Sequence, residues 1–167
     1  MSVLPVIISI LFFLFIAWTH FFGAAWIPTS SSTVLKMLRI AQIRPGDVVY
    51  DLGSGDGRIL IEAARHFGAK AVGIEIDPLR YIITKIKIYV LHLQDRVQII
   101  RGNFFRQDLS NADIIIVYLS QDTNMKLSEK LLRELKSGTR IVSHTFTFCC
   151  FEELETGEDL PIYLYKS

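Results

Sequence analysis

No charged side chain occurs before Lys36. An uncharged N-terminus of that length lacks the Arg-rich character of a usual transit peptide. The rest of the chain lacks an excess of either sign, because 18 Lys and Arg face 17 Asp and Glu for a net charge of +1. A near-neutral surface cannot track phosphates over a broad face, which argues against a nucleic-acid partner. Cysteine is equally scarce: Cys149 and Cys150 are adjacent and alone. That spacing suits neither a disulfide framework nor a tetrahedral metal site, so they read as small apolar fillers and no metal is expected. Repeats and low-complexity tracts are absent. At 167 residues the chain holds one domain, which excludes a modular multidomain enzyme.

What is present begins with Val3 to Trp26, an almost unbroken apolar run. A bilayer core of roughly 30 Å needs about 20 helical residues, so this run is read as a transmembrane anchor over residues 1–27, contacting lipid through residues 3–26. Trp18, His20 and Trp26 lie near its far end, where interfacial side chains belong. A cleaved signal peptide is the competing reading, but the basic leader is missing and the run is too long. Lys36, Arg39 and Arg44 follow closely, so the positive-inside rule predicts a single-pass membrane protein with its folded domain on the cytoplasmic side. Residues 28–33 read as a polar linker, and residues 34–167 as the folded domain.

From there the pattern alternates. Val34, Leu35, Leu38 and Ala41 give a first helix, Asp47 to Leu52 a strand, and Leu60, Ala63, Ala64 and Phe67 a helix stopped by Gly68. A strand over Ala71 to Ile76 leads through Asp77-Pro78, a cap with proline at the first helical position. The next helix carries an apolar stripe of Leu79, Ile82, Ile83, Ile86, Val90 and Leu93. Strands at Val97 to Arg101, Asp113 to Leu119 and Thr139 to His144 follow, with a helix from Asp122 to Lys136 before the last. Strands separated by helices predict an α/β fold with a mostly parallel, Rossmann-like sheet. Glu153 to Thr156 and Ile162 to Lys166, close together across Gly157, predict a C-terminal antiparallel hairpin.

The chemistry gathers at strand ends. Asp51-Leu52-Gly53-Ser54-Gly55-Asp56-Gly57 joins a strand to a helix, with glycines spaced two and two rather than the dinucleotide spacing of two and three. Glycine lets a ligand approach the backbone, and Asp51 ahead of the loop suits a cationic ligand better than a pyrophosphate. Glu75 ends the second strand, where a carboxylate accepts ribose hydroxyls in Rossmann-like folds. Asn103 follows the third strand and reads either as an adenine contact or as a plain turn residue.

The segment from Asp51 to Gly57, with Glu75 on the next strand, resembles motif I and its partner acid in class I methyltransferases dependent on S-adenosylmethionine (SAM). More narrowly, VVYDLGSGDGRILIEAA, GAKAVGIEIDP, DIIIVYLSQ and LKSGTRIVSHTF resemble a family of protein-lysine methyltransferases. Its members include short archaeal enzymes and membrane-anchored mitochondrial ones acting on the ATP synthase c subunit or the adenine nucleotide carrier. The resemblance covers about residues 34 to 148. It implies SAM as cofactor and a protein substrate, expected to be a membrane protein, with the mitochondrial inner membrane, matrix-facing, as the alternative location. It assigns Asp51, Gly53, Ser54, Gly55 and Gly57 to the cofactor loop, Glu75 to the ribose and Asn103 to the adenine. Tyr118 then faces the methyl group as the catalytic residue, and Ser120, Phe146 and Phe148 line the substrate channel. The two phenylalanines read equally well as core aromatics, and His144 as a rim histidine.

The Asn/Asp-Pro-Pro-aromatic tetrad of nucleobase amino-methyltransferases is missing: residues 118–121 read Tyr-Leu-Ser-Gln. Two other readings remain open from the residues, a methyltransferase of a lipid or small lipophilic acceptor and a non-catalytic SAM- or nucleotide-binding recruiting module.

Overall fold

The computed structural model describes residues 3–9, 28–156 and 161–167. Seven strands form one sheet in the order β3-β2-β1-β4-β5-β7-β6. They are β1 (Val48–Leu52), β2 (Lys70–Glu75), β3 (Val97–Arg101), β4 (Ile114–Val117), β5 (Arg140–His144), β6 (Glu152–Thr156) and β7 (Ile162–Lys166). β1 to β5 run parallel, and β7 inserts antiparallel between β5 and β6. The expected parallel sheet and C-terminal hairpin are therefore both present.

Among the described residues, four helices cover it: α1 (Ser31–Ile40), α2 (Arg58–Phe67), α3 (Pro78–Val90) and α4 (Gln121–Glu134). All four residues of β4 are buried, as expected of a strand covered on both faces. Ile114 and Ile116 point to one core, with Val34, Met37 and Leu38 of α1 and Leu60, Ala63 and Ala64 of α2. Ile115 and Val117 point to the other, with Leu127 and Leu131 of α4 and Tyr165 of β7. Polar caps set the helix starts: Ser30 Oγ accepts from Thr33 N, Asp77 Oδ1 from Leu79 N and Arg80 N, and Ser120 Oγ from Thr123 N.

Four expectations are corrected. Among the described residues no helix is long and apolar enough to cross a membrane, which overturns the single-pass membrane protein with its domain on the cytoplasmic side. Residues 4–9 are helical. The remainder of the anchor, residues 10–27, lies outside the described residues. The linker at 28–33 is shorter than expected, because α1 already begins at Ser31, and Thr29 and Thr33 are buried. Cys149 and Cys150 are exposed rather than core fillers, with their sulfurs 3.3 Å apart.

The fourth correction concerns α3. Most of its expected apolar stripe faces outward: Leu79, Ile82, Ile83, Ile86 and Val90 are 40–64% exposed, whereas Leu93, just past the helix, packs against the core, and Thr84 and Ile88 are the buried positions within the helix. Periodicity identified the helix and its apolar face correctly, but cannot say which face a sheet will take. Here the inner face is chosen by polar contacts, since Thr84 Oγ1 donates to Gly55 O and Lys87 Nζ to Asp56.

Candidate active site

Strand register aligns the carboxyl ends of four adjacent strands. Leu52 pairs with both Ile74 and Val117, and Val117 with Ser143. The next residue on each strand is therefore at one level: Gly53, Glu75, Tyr118 and His144. Strand order reverses between β1 and β4, and the crevice outside such a switch point is where open α/β sheets bind ligands.

The loop after β1 is built for close approach. Gly57 has φ +76°, and a Cβ there would sit 2.5 Å from Thr84 Cγ2. On β2, a Cβ at Gly73 would meet Leu60 Cδ1 at 2.5 Å and Ser54 Oγ at 2.8 Å, so the missing side chain is what lets α2 and the loop settle on the sheet. Glu75 is 3% exposed and holds the loop: Oε2 accepts from Gly55 N at 2.7 Å, and Oε1 from Asp77 N at 2.8 Å. Each carboxylate oxygen retains a second lone pair.

Asp51 is buried beside this loop, and its Oδ2 and the neighbouring Ser54 Oγ have no hydrogen-bond partner. Burial, followed by the charges of Glu75 and Asp56, pushes its pKa up to about 8. Asp56 goes the other way. Burial opposes its ionisation, but hydrogen bonds from Arg58 and Lys87 outweigh it and bring the pKa down to about 2. Arg58 also donates to the Thr29 carbonyl, tying the start of the described body to the loop.

A carboxylate that is desolvated, surrounded by acids and lacking donors is stabilised by an incoming cation. SAM carries an ammonium and a sulfonium, so the donor chemistry here fits it. A pyrophosphate would meet the carboxylates of Asp56 and Glu75 with like charge and would hold Asp51 in its protonated form.

Across the switch point, Tyr118 is half-buried with its ring edge-on to His144, centroids 4.3 Å apart at 78°. Burial lowers the His144 pKa, keeping the imidazole neutral at pH 7. The turn after β5 is clamped by α4. Asn124 Nδ2 donates to Phe146 O at 3.1 Å, and Gln121 exchanges two hydrogen bonds with the Thr147 backbone.

The sequence-derived residues divide accordingly. Asp51, Gly53, Ser54, Gly55, Gly57 and Glu75 lie together at the loop, and Tyr118 at the rim across from it. Asn103 Oδ1 caps a short 3-10 turn by accepting from Phe105 N, which favours the turn reading of that oxygen. Ser120 caps α4. Phe146 is half-buried in the clamped turn, whereas Phe148 is 5% exposed and packs edge-on against Phe151 and Tyr165, as a core aromatic does. Sequence reading missed Thr84, Lys87, Gln121 and Asn124, which reach the site from helices. Thr84 left a trace, being a polar break in an isoleucine-rich helix. Among the described residues no cluster of His, Cys, Asp and Glu could hold a metal ion.

The ANTKMT methyltransferase domain matches residues 51–154 of this chain. The chain belongs to that family. It is 44% identical over 122 residues to the protein-lysine N-methyltransferase of Saccharolobus islandicus, covering 72% of this chain and 76% of that one. It is 30% identical over 121 residues to the mouse adenine nucleotide translocase lysine N-methyltransferase, 72% of this chain but 52% of that protein. Among solved structures, an RNA methyltransferase from Salinibacter ruber in complex with S-adenosyl-L-homocysteine superposes with a TM-score of 0.79 at 38% identity, over 84% of this chain and 92% of that one. Membership of this family, together with the fold, makes the chain a SAM-dependent methyltransferase.

Proposed function

We propose that this methyltransferase modifies the ε-amine of a lysine in a protein substrate, with Asp51, Ser54 and Glu75 holding the cofactor and Tyr118 facing the acceptor. The observation that carries the reading is the buried, donor-poor Asp51 beside a glycine loop, one strand from an aromatic rim at Tyr118. SAM supplies the electrophilic methyl group. The Gly53–Gly57 backbone admits the cofactor closely, and Asp51 gives up its proton to become the counter-ion of a cation. Glu75 turns its remaining lone pairs toward ribose hydroxyls while keeping the loop in place.

The acceptor must arrive as a neutral amine, although lysine's reference pKa is about 10.4. A half-buried aromatic wall disfavours the ammonium form by desolvation and leaves the Tyr118 hydroxyl to orient the nitrogen. Positioning reacting atoms at roughly 3 to 3.5 Å accounts for most of the acceleration such a site can offer. Protein lysine is favoured by the two lysine-methyltransferase relatives, whose similarity extends well beyond the cofactor loop.

The Salinibacter structure supports a second reading, RNA. Against it stand the net charge of +1 and the missing Pro-Pro-aromatic tetrad after β4. One experiment separates the two. The purified chain is incubated with methyl-labelled SAM and, in parallel, with protein and RNA extracts of its source cells, and modified residues are mapped by mass spectrometry. Methyl-lysine is expected. Label confined to RNA would overturn the lysine reading, and SAM binding without transfer to either fraction would overturn catalysis.

A further inference from the structure

The outward face of α3 is a feature that neither the cofactor site nor the acceptor site uses. Leu79 is 56% exposed, Ile82 51%, Ile83 40%, Ile86 57%, Tyr89 70% and Val90 64%. At about 100° per residue these six positions fill a band roughly 120° wide along the whole helix. Isolated exposed apolar residues are ordinary, but a contiguous band of this size, on the order of several hundred Å², marks a contact surface.

The charges around the band identify its partner. Between Pro78 and Val90 the helix has three basic residues, Arg80, Lys85 and Lys87, and no acidic one. Projected down the axis, Arg80 and Lys87 border one edge of the band and Lys85 the other. Lys87 also reaches Asp56 at 2.9 Å, Arg80 lies 3.7 Å from Asp77, and Lys85 sits over the Tyr81 ring at 5.7 Å. An apolar stripe with basic edges is the pattern of a helix lying in the plane of a lipid interface, its apolar side chains among acyl chains and its cations at phosphates. A second copy of the chain fits poorly, because pairing two such helices would bring cations against cations.

We propose that α3 is a docking surface for an anionic lipid interface, lying along it with the six apolar side chains inserted. The contact is peripheral, made by a helix whose other face rests on the cofactor loop. It does not depend on the lysine reading of the acceptor.

The test places a polarity-sensitive fluorophore on the full-length chain. Cys149 and Cys150, both exposed, are replaced by serine, and a single cysteine is introduced as Ile86→Cys on the band or as Glu129→Cys on α4. With vesicles of phosphatidylcholine and phosphatidylglycerol, the label at 86 is expected to brighten several-fold and shift to the blue, while the label at 129 stays unchanged. The response should weaken in pure phosphatidylcholine and in high salt. An Ile82→Asp substitution should lower vesicle partitioning of the α3 face about tenfold without altering SAM affinity. No change at 86, or equal changes at both positions, would overturn the proposal. So would a label at 86 already in an apolar environment before vesicles are added, the result expected if protein covers the band.

Discussion

Asp51 shows how one side chain can serve binding at the expense of folding. Its pKa in the folded chain is raised to about 8, whereas an unfolded chain releases that proton near pH 4. A raised acid pKa means that folding favours the protonated form, so its contribution to stability is complete below about pH 4 and is lost as pH rises toward 8. Without cofactor, Asp51→Asn should therefore gain thermal stability over the parent as pH goes from 6 to 8, while its SAM affinity falls. Calorimetric titration in buffers of different ionisation enthalpy should detect proton release on SAM binding by the parent and none by the variant. Glu75 behaves differently, because its carboxylate also holds Gly55 N and Asp77 N. Glu75→Ala should lose SAM binding and also about 2 to 5 kcal/mol of stability, from two buried N–H groups left unpaired. Unchanged affinity in a folded variant would remove it from the ribose site. Tyr118→Phe should lower kcat while SAM affinity stays the same, and equal turnover would reduce Tyr118 to packing.

At the scale of elements, α3 and the loop after β1 act as one unit. Thr84 supplies a hydrogen bond to Gly55 O, and its methyl occupies the space a side chain at 57 would need. Gly57→Ala should cost about 1 to 3 kcal/mol from overpacking, with added strain from its positive φ. Thr84→Ser keeps the hydroxyl and removes the methyl, so in the Gly57→Ala background it should restore part of the loss. Denaturant unfolding of both single variants and the double measures that coupling, and simple additivity would mean the two do not meet. The same unit explains why the more apolar face of α3 is not the one that packs on the sheet. Six outward apolar residues outweigh Thr84 and Ile88 by hydropathy, but only the inner face carries the groups that match the loop.

For the whole molecule, the sheet brings together four strand ends from residues 52 to 144, and a cofactor bound there would bridge both halves of the fold. Ligand binding to the folded state alone stabilises it by RT ln(1 + [L]/Kd), about 2.7 kcal/mol at one hundred times Kd. For a chain of this length that corresponds to an upward shift of roughly 5 to 10 °C in Tm. Scanning calorimetry with and without SAM checks it, and no shift at saturating ligand would contradict cofactor binding at this site.

The alternation of strand and helix, the hairpin at the C-terminus and the Asp51-to-Gly57 loop were legible in the amino-acid order, because local periodicity and turn chemistry depend on neighbours a few residues apart. Membership of a methyltransferase family was legible for the same reason, since its motifs are contiguous. What tertiary structure alone decided depends on contacts between residues distant in the chain. Those contacts turned the isoleucine face of α3 to the outside, brought Thr84 and Lys87 to the loop, and set Gln121 and Asn124 against the turn after β5. They also buried Phe148 while leaving Cys149 and Cys150 exposed. Sequence pattern can mark a side chain as apolar or polar, but only the packed sheet determines what lies opposite it.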